Sequence, residues 1–195
     1  MKDIVFAREP TPLLHVRSTI LVSGLAEFRA RGHYDAYVAR LDAGVRETIL
    51  GMIAGEWLPV DVAMRHFEAV DGLGLPPEEA FEIGGASARR FRASLWGTLL
   101  RVAVSAGADP WVFLRAYERV WARAFDGGGF VVTQTGPKEV MIELRAVPFC
   151  RYEYFRNAFR GTNDVALGAF ASTLYVREVT KRTHPNGFTI RVAWV

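Results

Sequence analysis

The stretch DGGGFVVTQTGPKEVMIELRAVPFCRYEYFRNAF, residues 126–159, decides the fold. Gly127, Gly128 and Gly129 close a region of helical periodicity and open one of period two. After the Gly136-Pro137 turn, Val140, Ile142 and Leu144 alternate with Met141, Glu143 and Arg145. That is the pattern of a strand with one covered face and one wetter face. Phe149, Tyr152, Phe155 and Phe159 then recur every three or four residues, which predicts a helix laying an aromatic stripe on the sheet. Gly161 is expected to end it.

Downstream, Asn163 or Asp164 caps a short helix through Val165, Leu167 and Phe170, and residues 173–182 read as a strand. Asn186-Gly187 is a strong hairpin turn, after which Phe188, Ile190, Val192 and Trp194 alternate inward. Upstream the pattern is helical. Leu21, Leu25 and Phe28 form one face behind Ser18, which reads as a cap, and Gly32 closes the run. Asp42 caps a helix with Val45, Ile49, Met52 and Ile53 inward, ending at Gly55, and Asp61 one with Met64, Phe67 and Val70 inward. Trp57-Leu58-Pro59 reads as a link between them.

Pro76, Pro77, Glu78 and Glu79 start a further helix, with proline in the first turn and acids near the positive end of the dipole. Gly84-Gly85 is expected to break or kink it. Phe91, Leu95, Leu99, Val102 and Ala106 then make a continuous apolar stripe. Asp109-Pro110 begins a helix whose inner face is Trp111, Leu114, Tyr117, Trp121 and Phe125. Residues 1–17 carry Pro10 and Pro12 and lack a clear period, so they read as an extended arm.

These readings give an α+β fold in which an N-terminal helical half packs on a C-terminal four-stranded antiparallel sheet in ββ-α-ββ order. One domain over residues 1–195 is expected: an arm over 1–17, a helical half over 18–126 and a ββ-α-ββ half over 127–195.

Composition bounds the function. With 195 residues, 50% of them hydrophobic and 23% charged, the chain can bury a sizeable core unaided. No apolar run approaches the roughly 18 residues of a membrane span. The N-terminal residues are too charged and too rich in proline for a secretory signal, so a cytoplasmic location is expected. A single cysteine, Cys150, excludes an internal disulfide and any multi-cysteine zinc site. The net charge of +3 is mild and its cations are interspersed with acids, which argues against nucleic acid as a partner.

No catalytic constellation stands out. His15, His33, His66 and His184 are far apart and form no His-x-x-x-His pair, so no metal site is expected. Ser87 sits in Gly85-Ala86-Ser87-Ala88-Arg89, which departs from the nucleophile-elbow pattern at its last position. Neither Gly72-Leu73-Gly74 nor the triple glycine has the strand-loop-helix setting of a phosphate loop. Three arginine groups remain, Arg89/Arg90/Arg92, Arg115/Arg119/Arg123 and Arg151/Arg156/Arg160, each either a solvated face or a basic stripe for an anion or acidic partner. Cys150 reads as a small buried apolar residue, with a modifiable thiol as the alternative. Trp111, Tyr117, Trp121, Phe149, Tyr152, Phe155 and Phe159 flank the first hairpin and are the candidate lining of an apolar ligand pocket.

The combination of Trp57-Leu58-Pro59, Asp71-x-Leu73-Gly74-Leu75, the 121–125 segment with its glycines, Gly136-Pro137-Lys138-Glu139, Tyr154-Phe155-Arg156 with Gly161, and Trp194 resembles a myxobacterial paralogous family of about this length. More remotely, helices followed by ββ-α-ββ are similar to the ligand-binding superfamily shared by 4-vinyl-reductase domains, TRAPP subunits and haem nitric-oxide sensors. That resemblance implies a non-catalytic, frequently dimeric domain with an apolar tunnel. It carries no haem over to this chain: the sensors' Tyr-x-Ser-x-Arg motif is absent, and Gly85 stands where its tyrosine would be in the nearest match. Nor does any motif align Cys150 with the acylated cysteine of some TRAPP subunits.

The expected function is therefore a regulatory or scaffolding domain that binds a small apolar ligand or a protein partner without turnover and without a cofactor. The alternatives are a homodimeric or assembly module of purely structural role, and an enzyme of unrecognised type.

Overall fold

The first 14 described residues of the computed structural model are a strand, β1 (Ile4–Arg17), in place of the expected arm. The structure describes residues 4–92 and 109–195. Its prolines concealed β1. They fall where the pairing of β1 with β3 (Phe125–Gly136) shifts register, between Arg8/Thr11 and Thr11/His15. On its other side, among the described residues, β1 pairs only at His15–Arg17, with β2 (Trp57–Pro59). A proline on an uncovered edge interrupts no ladder. The triple glycine has the complementary role, because a Cβ at Gly127 or Gly129 would run into the β1 backbone at Pro12 or at Arg8 and Pro10.

After β1 come α1 (Ser18–Arg31), α2 (Tyr34–Arg40), α3 (Ala43–Gly51), β2, α4 (Val60–Asp71) and α5 (Pro77–Arg92). Past the undescribed residues lie α6 (Pro110–Arg115), α7 (Tyr117–Ala124), β3, β4 (Glu139–Arg145), a 3-10 turn (Pro148–Arg151), α8 (Glu153–Gly168), β5 (Leu174–Glu178) and β6 (Thr189–Trp194). The sheet is fully antiparallel with order β2-β1-β3-β4-β6-β5. This corrects the four-stranded sheet in ββ-α-ββ order. The α+β class stands, but the sheet has six strands because β1 and β2 join it from the N-terminal half.

Several local expectations change for physical reasons. Ser18 does not cap α1: its Oγ donates to Ile53 O (2.6 Å) and accepts from Gly55 N and Glu56 N, tying α1 to the loop before β2. Asp42 and Asp109 do cap, accepting from Gly44 N (2.8 Å) and Trp111 N (3.0 Å). The helix expected over 110–125 is two, broken at Ala116. The last strand before the Asn186-Gly187 turn is shorter than expected and ends at Glu178. The apolar stripe through Leu95, Leu99, Val102 and Ala106 lies outside the described residues.

The largest local change is at the glycines. Gly84-Gly85 does not break α5, and Gly161 does not end α8, which continues through Asn163 and Asp164. The two helices cross backbone to backbone. A Cβ at Gly84 would lie 2.6 Å from Ala158 Cα, and one at Gly161 would stand on the Phe81 carbonyl oxygen. Glycine serves here by its missing side chain. The seam fixes α8 across the sheet, and Asp71 Oδ1 accepts from Tyr154 N (2.8 Å) to hold its N-terminus to the end of α4.

Candidate functional site

Six of the seven aromatic residues expected to line a pocket fall into two groups. Trp111, Tyr117 and Trp121 stand on α6 and α7: Trp111 packs on Trp194 (ring centroids 5.4 Å), Tyr117 on Phe130 (4.9 Å) and Trp121 on Phe125 (4.5 Å). Trp121 Nε1 donates to Gly127 O (3.0 Å), so its one polar atom is satisfied. Phe149, Phe155 and Phe159 form the other group, around residues from two more elements. Phe67 of α4 meets Phe149 at 4.7 Å and Phe155 at 5.2 Å, and Phe188 meets Phe159 at 5.5 Å. Tyr152 is half-buried at the start of α8.

Beyond Phe67 the ring cluster becomes polar. Buried His66 meets the Phe67 ring at 5.1 Å and shares a 2.7 Å hydrogen bond, through Nδ1, with the buried Tyr37 hydroxyl. Desolvation lowers the His66 pKa to about 3, so the ring is neutral. Burial likewise pushes the Tyr37 and Tyr154 phenols up. Glu27, also buried, is held between Arg31 (3.3 Å) and Arg90 (2.5 Å). Cys150 has no exposure, and burial pushes its thiol up, which makes it a core residue and a poor nucleophile.

The arginine groups divide. Arg156 reaches Cys150 O (2.9 Å) and Glu178 (3.2 Å), and Arg160 reaches Asn157 Oδ1 (2.8 Å) and Val176 O. Both therefore brace α8 against strand β5, at the edge of the sheet, and do not form a free anion stripe. Arg90 is spent on Glu27 and on Ser23 O (3.0 Å). Arg115 and Arg119 are exposed on α6 and α7.

Two surface clefts stand out among the described residues, and none of the seven aromatic residues lines either. One, of about 220 Å³, lies on the outer face of β4-β6-β5 among Glu139, Tyr175, Arg177, Arg191 and Ala193. The other, of about 620 Å³, lies among Arg8, His15, Trp57, Ala122, Phe125 and Asp126, where β2, β1 and β3 meet α7. There His15 Nδ1 donates to Asp126 Oδ2 (2.8 Å), and the Arg17 guanidinium lies over Trp57, 4.0 Å from the ring centroid. Sequence reading missed this cleft because its members converge only once β1 is a strand. His15 is in register with both Pro59 and Asp126, and Arg17 with Trp57.

No protein-family model matches the chain, and no curated protein matches it in sequence. Solved structures do match in fold. An Fe(II) unliganded H-NOX protein from K. algicida superposes with a TM-score of 0.66 at 9% identity, over 92% of this chain and 96% of that one. An oxygen-binding H-NOX domain related to soluble guanylate cyclases superposes with a TM-score of 0.58 at 16% identity, over 91% and 94%. A point mutant of T. Tengcongensis H-NOX gives 0.59 at 15% identity, over 91% and 97%. The chain thus shares the H-NOX fold over 91–92% of its residues. Of the superfamily named on topology, the haem-sensor branch is the one these likenesses support.

The described histidines and the cysteine do not fit a haem. Haem iron takes an axial histidine, thiolate, methionine or tyrosine. All four histidines of the chain are described: three lie at or near the surface and the fourth is walled in by rings. His15 pairs with Asp126 at the surface, His33 Nε2 with Glu79 Oε1 (2.7 Å), and His184 lies in the exposed turn before Gly187, where its Nδ1 accepts from Asn186 N. His66 is enclosed by Phe28, Tyr37 and Phe67 with ring centroids at 6.3, 5.4 and 5.1 Å, which leaves no slot for a planar macrocycle across its ring. Cys150 is an inward thiol with a raised pKa. The backbone contact of α5 with α8 closes the space between those helices as well.

Proposed function

We propose that this chain is a non-catalytic regulatory or scaffolding domain that binds a ligand without turning it over and works without haem. One observation carries the reading: the fold of the H-NOX structures extends over 92% of the chain, while its buried histidine, His66, is enclosed by aromatic rings and bonded to Tyr37. Such a domain retains what the fold offers apart from iron, a rigid sheet carrying helices whose surfaces can report occupancy. Ligand sites of this kind are clefts with apolar walls and a few placed polar groups.

Native mass spectrometry on freshly purified protein, combined with a thermal-shift screen of small acids, amines and neutral aromatics, tests the reading. The expected result is a non-covalent adduct or a saturable rise in melting temperature, with the compound recovered unchanged. A clean mass with no compound shifting the transition would contradict it, and so would chemical conversion of the bound compound.

A further inference from the structure

We infer that the cleft between β1, β2 and α7 is a binding site for a small aromatic anion, a carboxylate attached to a planar ring. This rests on the proposed binding role and gives it a place and a chemistry. The volume of about 620 Å³ lies within the range of about 300–1,000 Å³ of small-molecule sites. Its apolar wall is Trp57, Phe125 and Ala122. Trp57 is 38% exposed, and its ring is held by the Arg17 guanidinium over it, itself anchored to Gly55 O. An aromatic ring so braced presents stacking surface at little entropic cost.

The polar side of the cleft has an underused donor. Arg8 Nε is buried and has no hydrogen-bond partner, a costly state for a charged group. Its other anchor is weak: Nη1 stands 3.9 Å from Glu118, whose side chain is 66% exposed. His15 spends Nδ1 on Asp126, which fixes the ring and leaves Nε2 as its remaining polar atom. Asp126 is thereby occupied by a partner of its own and is the one acid lining the cleft. A ligand carboxylate pairs with the Arg8 guanidinium, whose side chain is 29% exposed, by a charge-assisted bond. The ligand's ring then lies against Trp57. The cleft on the outer sheet face offers less, because its Arg191 is already paired with Glu139.

Titration of ¹⁵N-labelled protein with 3-phenylpropionate, and in parallel with neutral 3-phenylpropionamide, tests the site. Saturable movement of the Trp57 indole N–H and of the β1 amides around His15 is expected with the acid. The amide, and the acid on Arg8→Gln, are expected to bind about tenfold more weakly, the loss of one charge-assisted bond. Trp57→Leu is the second variant, read in the same way if Arg8→Gln does not fold, and it is expected to abolish the movement at His15. No saturable movement would overturn the inference, as would equal binding of acid and amide, or an Arg8→Gln protein that folds and binds like the wild type. Saturable movement confined to another surface would overturn the site while leaving the binding role intact, whereas failure of every compound in the mass-spectrometric screen removes both.

Discussion

Gly161→Ala is expected to lower the unfolding free energy by at least about 3 kcal/mol, at the upper end of overpacking costs. Two effects oppose one another at this position. Alanine is a better helix former than glycine by about 1 kcal/mol, which alone would stabilise α8. Against this, the new methyl stands on the Phe81 carbonyl oxygen, and the atom it meets is backbone of a packed helix with no side chain to swing aside. The clash therefore decides the sign. Gly84→Ala meets the Ala158 backbone from the opposite helix and is expected to act the same way. Because either substitution opens the same seam, the double variant should cost less than the sum of the two singles. Urea unfolding followed by circular dichroism measures this, and a Gly161→Ala protein as stable as the wild type would show that α5 and α8 do not meet at their backbones.

The second large effect is on pH. His66 is neutral in the fold, with a pKa of about 3, and in the unfolded chain it returns to about 6.5. On acidification the unfolded state takes up this proton first, so the stability is fully present above about pH 6.5 and falls as pH drops towards the folded value. The loss is about 1.4 kcal/mol per pH unit within that window. Carboxylates add their own acid dependence, so the comparison is with His66→Phe, which fills the ring cluster without the proton site. Wild type should show a slope steeper by one proton between about pH 6 and pH 4. Equal slopes would mean that His66 is solvated, not enclosed by Phe28, Tyr37 and Phe67.

What the sequence disclosed and what it hid have physical reasons. The β3-β4 hairpin and β6 were legible because a sheet with one covered face writes its burial as alternation: Val140, Ile142, Leu144, Ile190 and Val192 are all fully buried. β1 was hidden because most of its residues are exposed or half-buried, and its prolines sit where the pairing is irregular. With β1 unread, β2 was unread as well, and the sheet came out two strands short. The glycines at 84 and 161 misled for another reason. In sequence a glycine within a helical pattern signals a break, whereas here it signals the close approach of a helix distant in the chain, which no local pattern records. The aromatic residues read in sequence as one pocket lining, and their division between α6–α7 and α8 had no local signal. The surface cleft had no signal at all, since Arg8, His15, Trp57 and Asp126 meet only through strand register.

The central claim is that a fold shared with haem sensors is used here without haem. A fold hosts many functions, and the site decides among them. The most direct measurement is titration of the purified protein with haemin, followed by absorbance through the Soret region and by thermal melting. The expected spectrum remains that of unligated haemin, with no saturating change and no rise in melting temperature. Stoichiometric uptake with a ligated Soret band, lost in His66→Phe, would contradict the account.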